Sequence, residues 1–452
     1  PKTFDLTELQ SLASQYPDRY WNELHGAKSE YIDTIDIHHP LSALNVDIRD
    51  QAAITGMTLS SDGTLLATCC NLGSVKIWDL DSFSLVQKLR DTCETHIDEF
   101  YVAKFTPDQR HLIVGGKLKD RLRWSEADED NHILPCPLKV FDVLTGQVVA
   151  RFEGHMEEIL CIKLVQYKGE NYALTTSQDG YIIKWHFDPT YTTLLDKFII
   201  EDGITCMAFT VSFAPRTGNR YFLGACDDQL KLYDFEVGKL VRTFENIYSG
   251  YDDERPADLT PRAFAYFISR GVELLDAEDN TIASRPNTCT LHRLLYPDET
   301  HDCFDLEEVR RFHHDDYMSN SWLMKVAANG RYLCAPTLNG QIFVFHLASG
   351  KLTAILRGHE EIEVRDVMFH PTRNLLFTSG DDGCVKVFSQ RPAEIEAQVR
   401  IYLEAVARGE LDVVVTEENS PSASPALSAM TIDDGEANAD KTSDEMEINI
   451  DS

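Results

Sequence analysis

Short runs of alternating polar and apolar residues recur along this chain, and most of them end in an aromatic residue. Alternation with a period of two is typical of a half-buried β-strand, because successive side chains point to opposite faces of the sheet. The aromatic residues that close these runs are Trp78, Phe141, Trp185, Tyr233, Phe345 and Phe388. The steps between them are 63, 44, 48, 112 and 43 residues, so a unit of about 43 to 48 residues repeats along the chain.

The unit that begins at Gly154-His155 is the best preserved. Its three alternating runs cover residues 159–164, 172–177 and 181–185. Asp179-Gly180 lies between the last two runs and favours a tight hairpin turn, because glycine tolerates the positive φ that such a turn needs. A repeat of this length, built from short strands and turns, predicts a β-propeller.

The last unit follows the same plan. Asp382 lies six residues before Phe388, as Asp179 lies six residues before Trp185. These units resemble the WD40 repeat family over roughly residues 52–390. The resemblance implies that loops on a rigid ring of blades bind other molecules.

The resemblance also implies a hydrogen-bonded tetrad within a blade. In the third unit its members would be His155, a hydroxyl such as Ser177, Asp179 and Trp185. In the last unit they would be His359, Ser379, Asp382 and Phe388. Because a phenylalanine has no polar hydrogen, we expect this second tetrad to lack its fourth member.

Seven blades are expected. Six units are visible at 52–90, 97–152, 155–197, 204–245, 320–357 and 359–389. The 112-residue step leaves room for a fifth blade between 257 and 315, with strands at 263–268, 272–275, 290–296 and 306–312. The last unit has only three strands, and an open ring would expose unpaired edge groups. We therefore expect an N-terminal strand, at 31–38, to close the ring.

The flanks differ from the repeats. We assign residues 1–28 to a helical segment, 29–390 to the propeller, 391–410 to an amphipathic helix and 411–452 to a disordered acidic tail. The predicted fold is therefore all-β, with short flanking helices. The chain has no apolar run of 18 residues, no secretory signal pattern and eleven scattered cysteines, which favours a nuclear or cytoplasmic protein with reduced thiols.

The net charge of −32 is the second informative feature. From Leu411 onward there are eleven acidic residues and one lysine, a contribution of −10, so residues 1–410 still carry −22. This balance argues against nucleic acid as a direct ligand, because phosphate binding needs clustered lysine and arginine. It favours a basic protein partner, such as a histone or a ribosomal protein, through electrostatic steering. The alternative is that the acidity serves solubility alone.

Two insertions are candidate binding loops, since loops carry most binding residues of such scaffolds. They cover residues 117–137 and 246–261. The candidate partner-binding residues are Trp124, Asp128, Glu129, Tyr248, Tyr251, Asp252, Asp253, Glu254 and, from the start of a later strand, Trp322. Exposed aromatics are enriched at interfaces, and the adjacent carboxylates would select a basic partner. Both insertions could equally be solvated loops.

Evidence for chemistry is weak. The sequence has no nucleophile elbow, phosphate-binding loop, dinucleotide fingerprint or zinc-protease motif. The histidines and cysteine at His301, Cys303, His313 and His314 match no common zinc spacing. We therefore expect a non-enzymatic scaffold, without metal or cofactor, that is a subunit of a larger complex and does not bind membranes. The alternatives are a substrate receptor of a cullin-type ubiquitin ligase and an enzyme that uses the central channel.

Overall fold

The computed structural model describes most of the propeller region. Its described residues are 32–33, 41–93, 98–118, 121–200, 202, 207–226, 229–245, 247, 262–271, 287–321, 323–373, 375–390 and 408. By its internal contacts the chain divides into residues 1–391 and 392–452. The expected flanking helices (1–28 and 391–410) and the acidic tail (411–452) lie outside the described residues, apart from Arg408.

The alternating runs form strands that make seven sheets, the blades of a propeller. Three short strands come first: β1 (Ile32–Asp33), β2 (Leu41–Ala43) and β3 (Ile48–Arg49). The first blade contains β4 (Ile54–Leu59), β5 (Leu65–Cys70), β6 (Val75–Asp79) and β7 (Leu85–Leu89). The second contains β8 (Asp98–Phe105), β9 (His111–Leu118), β12 (Cys136–Asp142) and β13 (Val148–His155), with a separate hairpin of β10 (Leu122–Ser125) and β11 (Asp130–Ile133). The third contains β14 (Ile159–Tyr167), β15 (Glu170–Ser177), β16 (Ile182–Phe187) and β17 (Leu194–Ile199).

The remaining blades follow in chain order. The fourth contains β18 (Ala208–Phe213), β19 (Tyr221–Cys226), β20 (Gln229–Asp234) and β21 (Lys239–Phe244). The fifth contains β22 (Phe264–Arg270), β23 (Cys289–Leu295) and β24 (Asp305–Phe312). The sixth contains β25 (Ala327–Ala328), β26 (Tyr332–Pro336), β27 (Gln341–His346) and β28 (Leu352–Arg357). The seventh contains β29 (Val364–Phe369), β30 (Leu375–Gly380) and β31 (Cys384–Gln390).

Seven apolar clusters show that the ring is complete. Each cluster fills the space between two neighbouring blades, including the fourth and fifth and the fifth and sixth. The cluster that joins the seventh blade to the first packs Trp78 and Leu66 against Phe377 and Val387. Burying one such side chain contributes about 1.5–3 kcal/mol, so these interfaces hold the blades together. The prediction of a seven-bladed all-β propeller is confirmed.

The first strands of neighbouring blades contact one another, so they line the central channel. In five blades the first two strands are joined with a β-bulge, as at Ile54/Gly56, whereas the second and third strands pair without one. In the fifth blade, the pair β22–β23 has no bulge, like the second and third strands of other blades. The pair β23–β24 has one, like the third and fourth strands of the third blade. The three described strands of the fifth blade are therefore its second to fourth. The expected run at 263–268 is thus a second strand, and 272–275 lies outside the described residues.

A segment before the first blade closes the ring, as predicted. The segment that does so is 41–49 and not the expected 31–38. Strands β2 and β3 pair with β31 and complete the seventh blade, with Leu41 opposite Gln390 and Ile48 opposite Val385. The segment 31–38 was expected there. Its described residues, the strand β1, instead pair in parallel with β28 of the sixth blade. Alternation alone could not decide which of the two segments closes the ring, because both lie before the first blade.

Candidate functional site

A hydrogen-bonded tetrad in the third blade establishes which loops share a face. His155 Nδ1 lies 3.0 Å from Asp179 Oδ2, and His155 Nε2 lies 2.7 Å from Thr175 Oγ1. Trp185 Nε1 donates to the same Thr175 oxygen at 2.8 Å. The hydroxyl is therefore Thr175 and not Ser177, whose Oγ accepts the Asp179 amide at 3.1 Å. The contact brings the loop before a first strand onto the same face as the turn between second and third strands.

The seventh blade repeats two of these three contacts and so contains three of the four members of the tetrad. His359 Nδ1 lies 3.0 Å from both Asp382 oxygens, and His359 Nε2 lies 2.8 Å from Thr378 Oγ1. Phe388 occupies the tryptophan position, so the predicted loss of the fourth member stands. Ser379 is again not the hydroxyl of the tetrad: its Oγ is buried and has no hydrogen-bond partner among the described residues.

The tetrad carboxylates are held in their charged form. Burial raises the pKa of Asp179, but the hydrogen bond and charge of His155, with the amides of Tyr181 and Met156, outweigh it and lower the pKa below the usual value. Asp382 behaves likewise, because burial is outweighed by His359 and the Cys384 amide. Each carboxylate therefore ties two loops together on this face.

Other blades use a lysine and an aspartate to make a comparable connection. Lys139 and Lys231 lie two residues before the third-strand aromatics, and their Nζ atoms are 3.0 Å from Asp91 and Asp202 respectively. Lys76, in the first blade, lies 3.2 Å from Asp50. Sequence reasoning missed these pairs. The signal was present, since a lysine precedes the aromatic by two residues in each of these blades.

The first insertion forms the hairpin β10–β11 on this same face. It connects the second and third strands of the second blade, the position that Asp179-Gly180 occupies in the third. Arg121, at its base, ties it to the loop before the third blade: Nη1 lies 2.6 Å from Glu157, and Nη2 donates to the Met156 carbonyl. Arg121 also donates to the Leu134 carbonyl at 3.4 Å, so both ends of the hairpin are held.

One side of the hairpin is apolar and open to solvent. Leu122 pairs with Ile133, and Trp124 is two residues further along the same side. Their exposed fractions are 61%, 54% and 57%. Asp128 and Glu129 lie at the tip, where Asp128 is 2.5 Å from His132 and Glu129 has a positive φ of 52°. Trp124, Asp128 and Glu129 therefore lie on one hairpin, with Trp124 on its first strand and the two carboxylates at its tip.

Carboxylates line the channel mouth beside the hairpin. Lys117 Nζ lies 3.5 Å from Glu99 and 3.3 Å from Glu158, and Tyr101 donates to Glu99 at 2.8 Å. Burial alone lowers the pKa of Lys117, but Glu99 and Glu158 raise it above its usual value. Glu158 Oε2 is buried and has no hydrogen-bond partner among the described residues, so one oxygen of this carboxylate is unsatisfied beneath the mouth.

The other candidate residues cannot be placed. Tyr248, Tyr251, Asp252, Asp253, Glu254 and Trp322 lie outside the described residues. Within the described part of the chain no group of three His, Cys, Asp or Glu side chains has the arrangement of a metal site, and no helix is long and apolar enough to cross a membrane. The ten described cysteines are free thiols.

The ring of blades and its loop-bearing face define a seven-bladed β-propeller with the architecture of a binding platform. Residues 46–79 and 350–389 match the family model "WD domain, G-beta repeat". Both matched segments end within a third strand, β6 and β31. The chain therefore carries WD40 repeats in these two segments.

Known proteins agree with this assignment. The chain is 24% identical over 249 residues to WD repeat-containing protein SL1-17 of Schistosoma mansoni, spanning 54% of this chain and 70% of that protein. It is 22% identical over 339 residues to the Retinoblastoma-binding protein 5 homolog of Drosophila melanogaster, spanning 74% of this chain and 60% of that relative. The propeller domain of Cps50 (Swd1) from Myceliophteria thermophila aligns with a TM-score of 0.53 at 15% identity, over 78% of this chain and all of that one. This structural likeness concerns the fold.

Proposed function

We propose that this protein is a non-enzymatic scaffold that binds a basic segment of a partner protein on the face that carries the hairpin β10–β11. The observation that carries the proposal is the position of Trp124, exposed on a hairpin that Arg121 fixes beside the carboxylates of the channel mouth. An exposed tryptophan on a rigid support is a typical binding hot spot.

The chemistry of this face selects the class of partner. The apolar side of the hairpin would hold an aliphatic or aromatic side chain, and Trp124 offers a ring face for a cation. The carboxylates of Glu99 and Glu158, whose side chains are 20% and 15% exposed, would attract a lysine or arginine that reaches the mouth. A short extended segment with both apolar and basic residues fits these two requirements together.

The net charge supports the same reading. A chain of net charge −32 attracts basic proteins over distance and repels acidic ones. One relative is named for binding the retinoblastoma protein, which agrees with a protein-binding role for propellers of this kind. We propose that the protein acts as a subunit of a nuclear or cytoplasmic complex, and that the insertion 246–261 contributes further contacts.

Co-purification at low and high salt tests the proposal. We expect the full chain, and the chain truncated after Arg408, to retain basic proteins at low salt and to release them at high salt. Trp124→Ala and Glu158→Gln should each weaken this retention several-fold. Leu144→Ala is the matched control, because Leu144 is 77% exposed on the opposite face of the same blade.

Three results would contradict the proposal in different ways. Equal retention by wild type, Trp124→Ala and Glu158→Gln would exclude this face as the binding surface. A salt-resistant set of neutral or acidic subunits would indicate an apolar assembly surface, and a cullin-type adaptor among them would favour a ligase receptor. Unchanged retention after charge reversal at Asp252, Asp253 and Glu254 would exclude the second insertion alone.

A further inference from the structure

Two lysines occupy equivalent positions on neighbouring first strands, which line the channel. Lys104 on β8 and Lys163 on β14 each lie two residues beyond the β-bulge of their strand, after Val102 and Cys161. They therefore occupy the same level on neighbouring first strands. Neither ammonium group forms an ion pair among the described residues, although the protein as a whole is strongly acidic.

The surroundings of Lys104 place its charge near the centre of the ring. Burial lowers the pKa of Lys104, and the positive charges of Lys163 and Lys325 lower it further, while Cys161 and Asp366 act in the opposite direction. Lys163 belongs to the third blade, Lys325 precedes the first strand of the sixth, and Asp366 belongs to the seventh. Lys104 therefore lies on the channel wall, close enough to these three blades to be influenced by their charges.

The blades on either side of the two lysines carry hydroxyl groups at the equivalent position. The equivalent positions beyond the bulges of β4 and β18 are Thr58 and Ser212. No hydrogen bond of either hydroxyl is seen within the described part of the chain. Four successive blades therefore carry hydroxyl, ammonium, ammonium and hydroxyl groups at one height; Thr58 is buried, whereas Ser212 is exposed.

We propose that this level of the channel binds a small polyvalent oxyanion of the phosphate type between Lys104 and Lys163, with Ser212 as a further donor. Two like charges on adjacent strands repel each other, and an anion between them turns that repulsion into charge-assisted hydrogen bonds. Lysine is a common phosphate ligand because its ammonium group offers three donors.

The direction of the first strands indicates the route of entry. These strands start at the face of the tetrad loops and run away from it, and Lys104 is the penultimate residue of β8. Tyr101, Lys325 and Asp366 lie between the acidic mouth and this level, since Lys325 Nζ is 3.4 Å from the Tyr101 carbonyl and 3.1 Å from Asp366. The anion therefore enters from the opposite mouth, and its site is independent of the surface proposed for the basic partner.

Isothermal titration of the full chain with sodium pyrophosphate in chloride buffer is the direct test. We expect saturable one-to-one binding, weakened at least about tenfold in Lys104→Gln/Lys163→Gln, which corresponds to about 1.4 kcal/mol. Lys239→Gln is the matched control, because Lys239 is exposed on the outer strand β21. Titration with a phosphoserine peptide distinguishes a free anion from a phosphorylated segment as the source of the phosphate group.

Thermal unfolding provides a second readout. Without added oxyanion, Lys104→Met should raise the Tm, because it removes a positive charge that is repelled by Lys163 and Lys325. Pyrophosphate should raise the Tm of wild type and of Lys239→Gln more than it raises that of Lys163→Gln, whereas the general salting effect of sulfate should be equal in all three. Absence of pyrophosphate binding by wild type up to millimolar concentration, or equal affinity in the double variant, would overturn the proposal.

Discussion

Lys325, before the first strand of the sixth blade, and Asp366 in the seventh form an ion pair with Nζ and Oδ2 3.1 Å apart. Asp366 also accepts the Met57 amide of the first blade at 2.9 Å. One carboxylate thus joins three blades across the point where the ring closes. Gly56 makes room for the Lys325 side chain and for the backbone of the second blade, because a Cβ there would collide with the Tyr101 carbonyl oxygen and would lie 2.9 Å from Lys325 Nζ.

We expect Lys325→Met to destabilise the fold by about 2 kcal/mol, because it leaves the buried Asp366 without its cationic partner. The side chain of Lys325 is 35% exposed, so the effect should fall below that of a fully buried pair. Urea unfolding measures it. Asp47→Asn is the control, since the Arg49–Asp47 pair is 68% and 73% exposed and should change stability by less than about 0.5 kcal/mol. Equal effects of the two variants would contradict the role of Asp366.

Removal of the hydroxyl of Thr175, Thr378 or Ser379 should lower the free energy of unfolding by amounts that decrease in this order. Thr175→Val removes the acceptor for Trp185 and the partner of His155, and should cost about 2–3 kcal/mol. Thr378→Val should cost about 1 kcal/mol, because only His359 uses that hydroxyl. Ser379→Ala should lie within about 0.5 kcal/mol of wild type, because its Oγ makes no bond among the described residues. Chemical denaturation of the three variants would show a different order if Ser379 completed the tetrad.

The buried pair of Lys139 and Asp91 should be energetically coupled. The Lys139 side chain is fully buried and that of Asp91 is 12% exposed, so Asp91→Ala should destabilise by about 2–3 kcal/mol. The double variant Asp91→Ala/Lys139→Met should lose less than the sum of the single changes. The exposed pair Lys168–Glu236 serves as the comparison and should couple more weakly, because solvent screens it. Additive effects at Lys139 and Asp91 would show that the ion pair does not stabilise the contact between the strand β12 and the loop that contains Asp91.

His292 should make the fold sensitive to mild acid. Burial lowers the pKa of His292 from 6.5 to about 3, so between these values the unfolded chain binds a proton that the folded chain does not. Stability therefore falls as the pH drops below 6.5, by about 2 kcal/mol between pH 7 and pH 5. His292→Gln should remove this part of the pH dependence in urea unfolding. The control His313→Gln should not, because the His313 side chain is 57% exposed.

The strand pattern could be predicted because burial of an alternating face depends on local sequence. The six aromatics that close the runs are all buried in the clusters between blades or beside them. The hydroxyl of the tetrad was misassigned because the interpretation relied on nearness to the turn. In the first, third and seventh blades the hydroxyl at this position belongs to a threonine ten residues before the third-strand aromatic. In the first blade, for example, Trp78 Nε1 donates to Thr68 Oγ1 at 3.1 Å. That spacing is visible in the sequence and would have identified Thr175 and Thr378.

Contacts between blades could not be derived in the same way. Arg121 bonds to Glu157, and Lys325 reaches Asp366, only after the ring has brought distant segments together. The candidate site at the channel mouth therefore forms only when the ring of blades closes. The hairpin residues Trp124, Asp128 and Glu129 were predictable, because a composition change within one repeat marks an insertion.

The pairing of Leu41 with Gln390 has a consequence for how the chain can be rearranged. The two ends of the propeller segment are adjacent across one antiparallel ladder, so a short linker could join them as a hairpin. New ends could then be opened in the turn at Leu144, which is exposed and lies between two strands of one blade. Such a circular permutant would fold with the seventh blade made from continuous chain, and would carry its termini on the face away from Trp124.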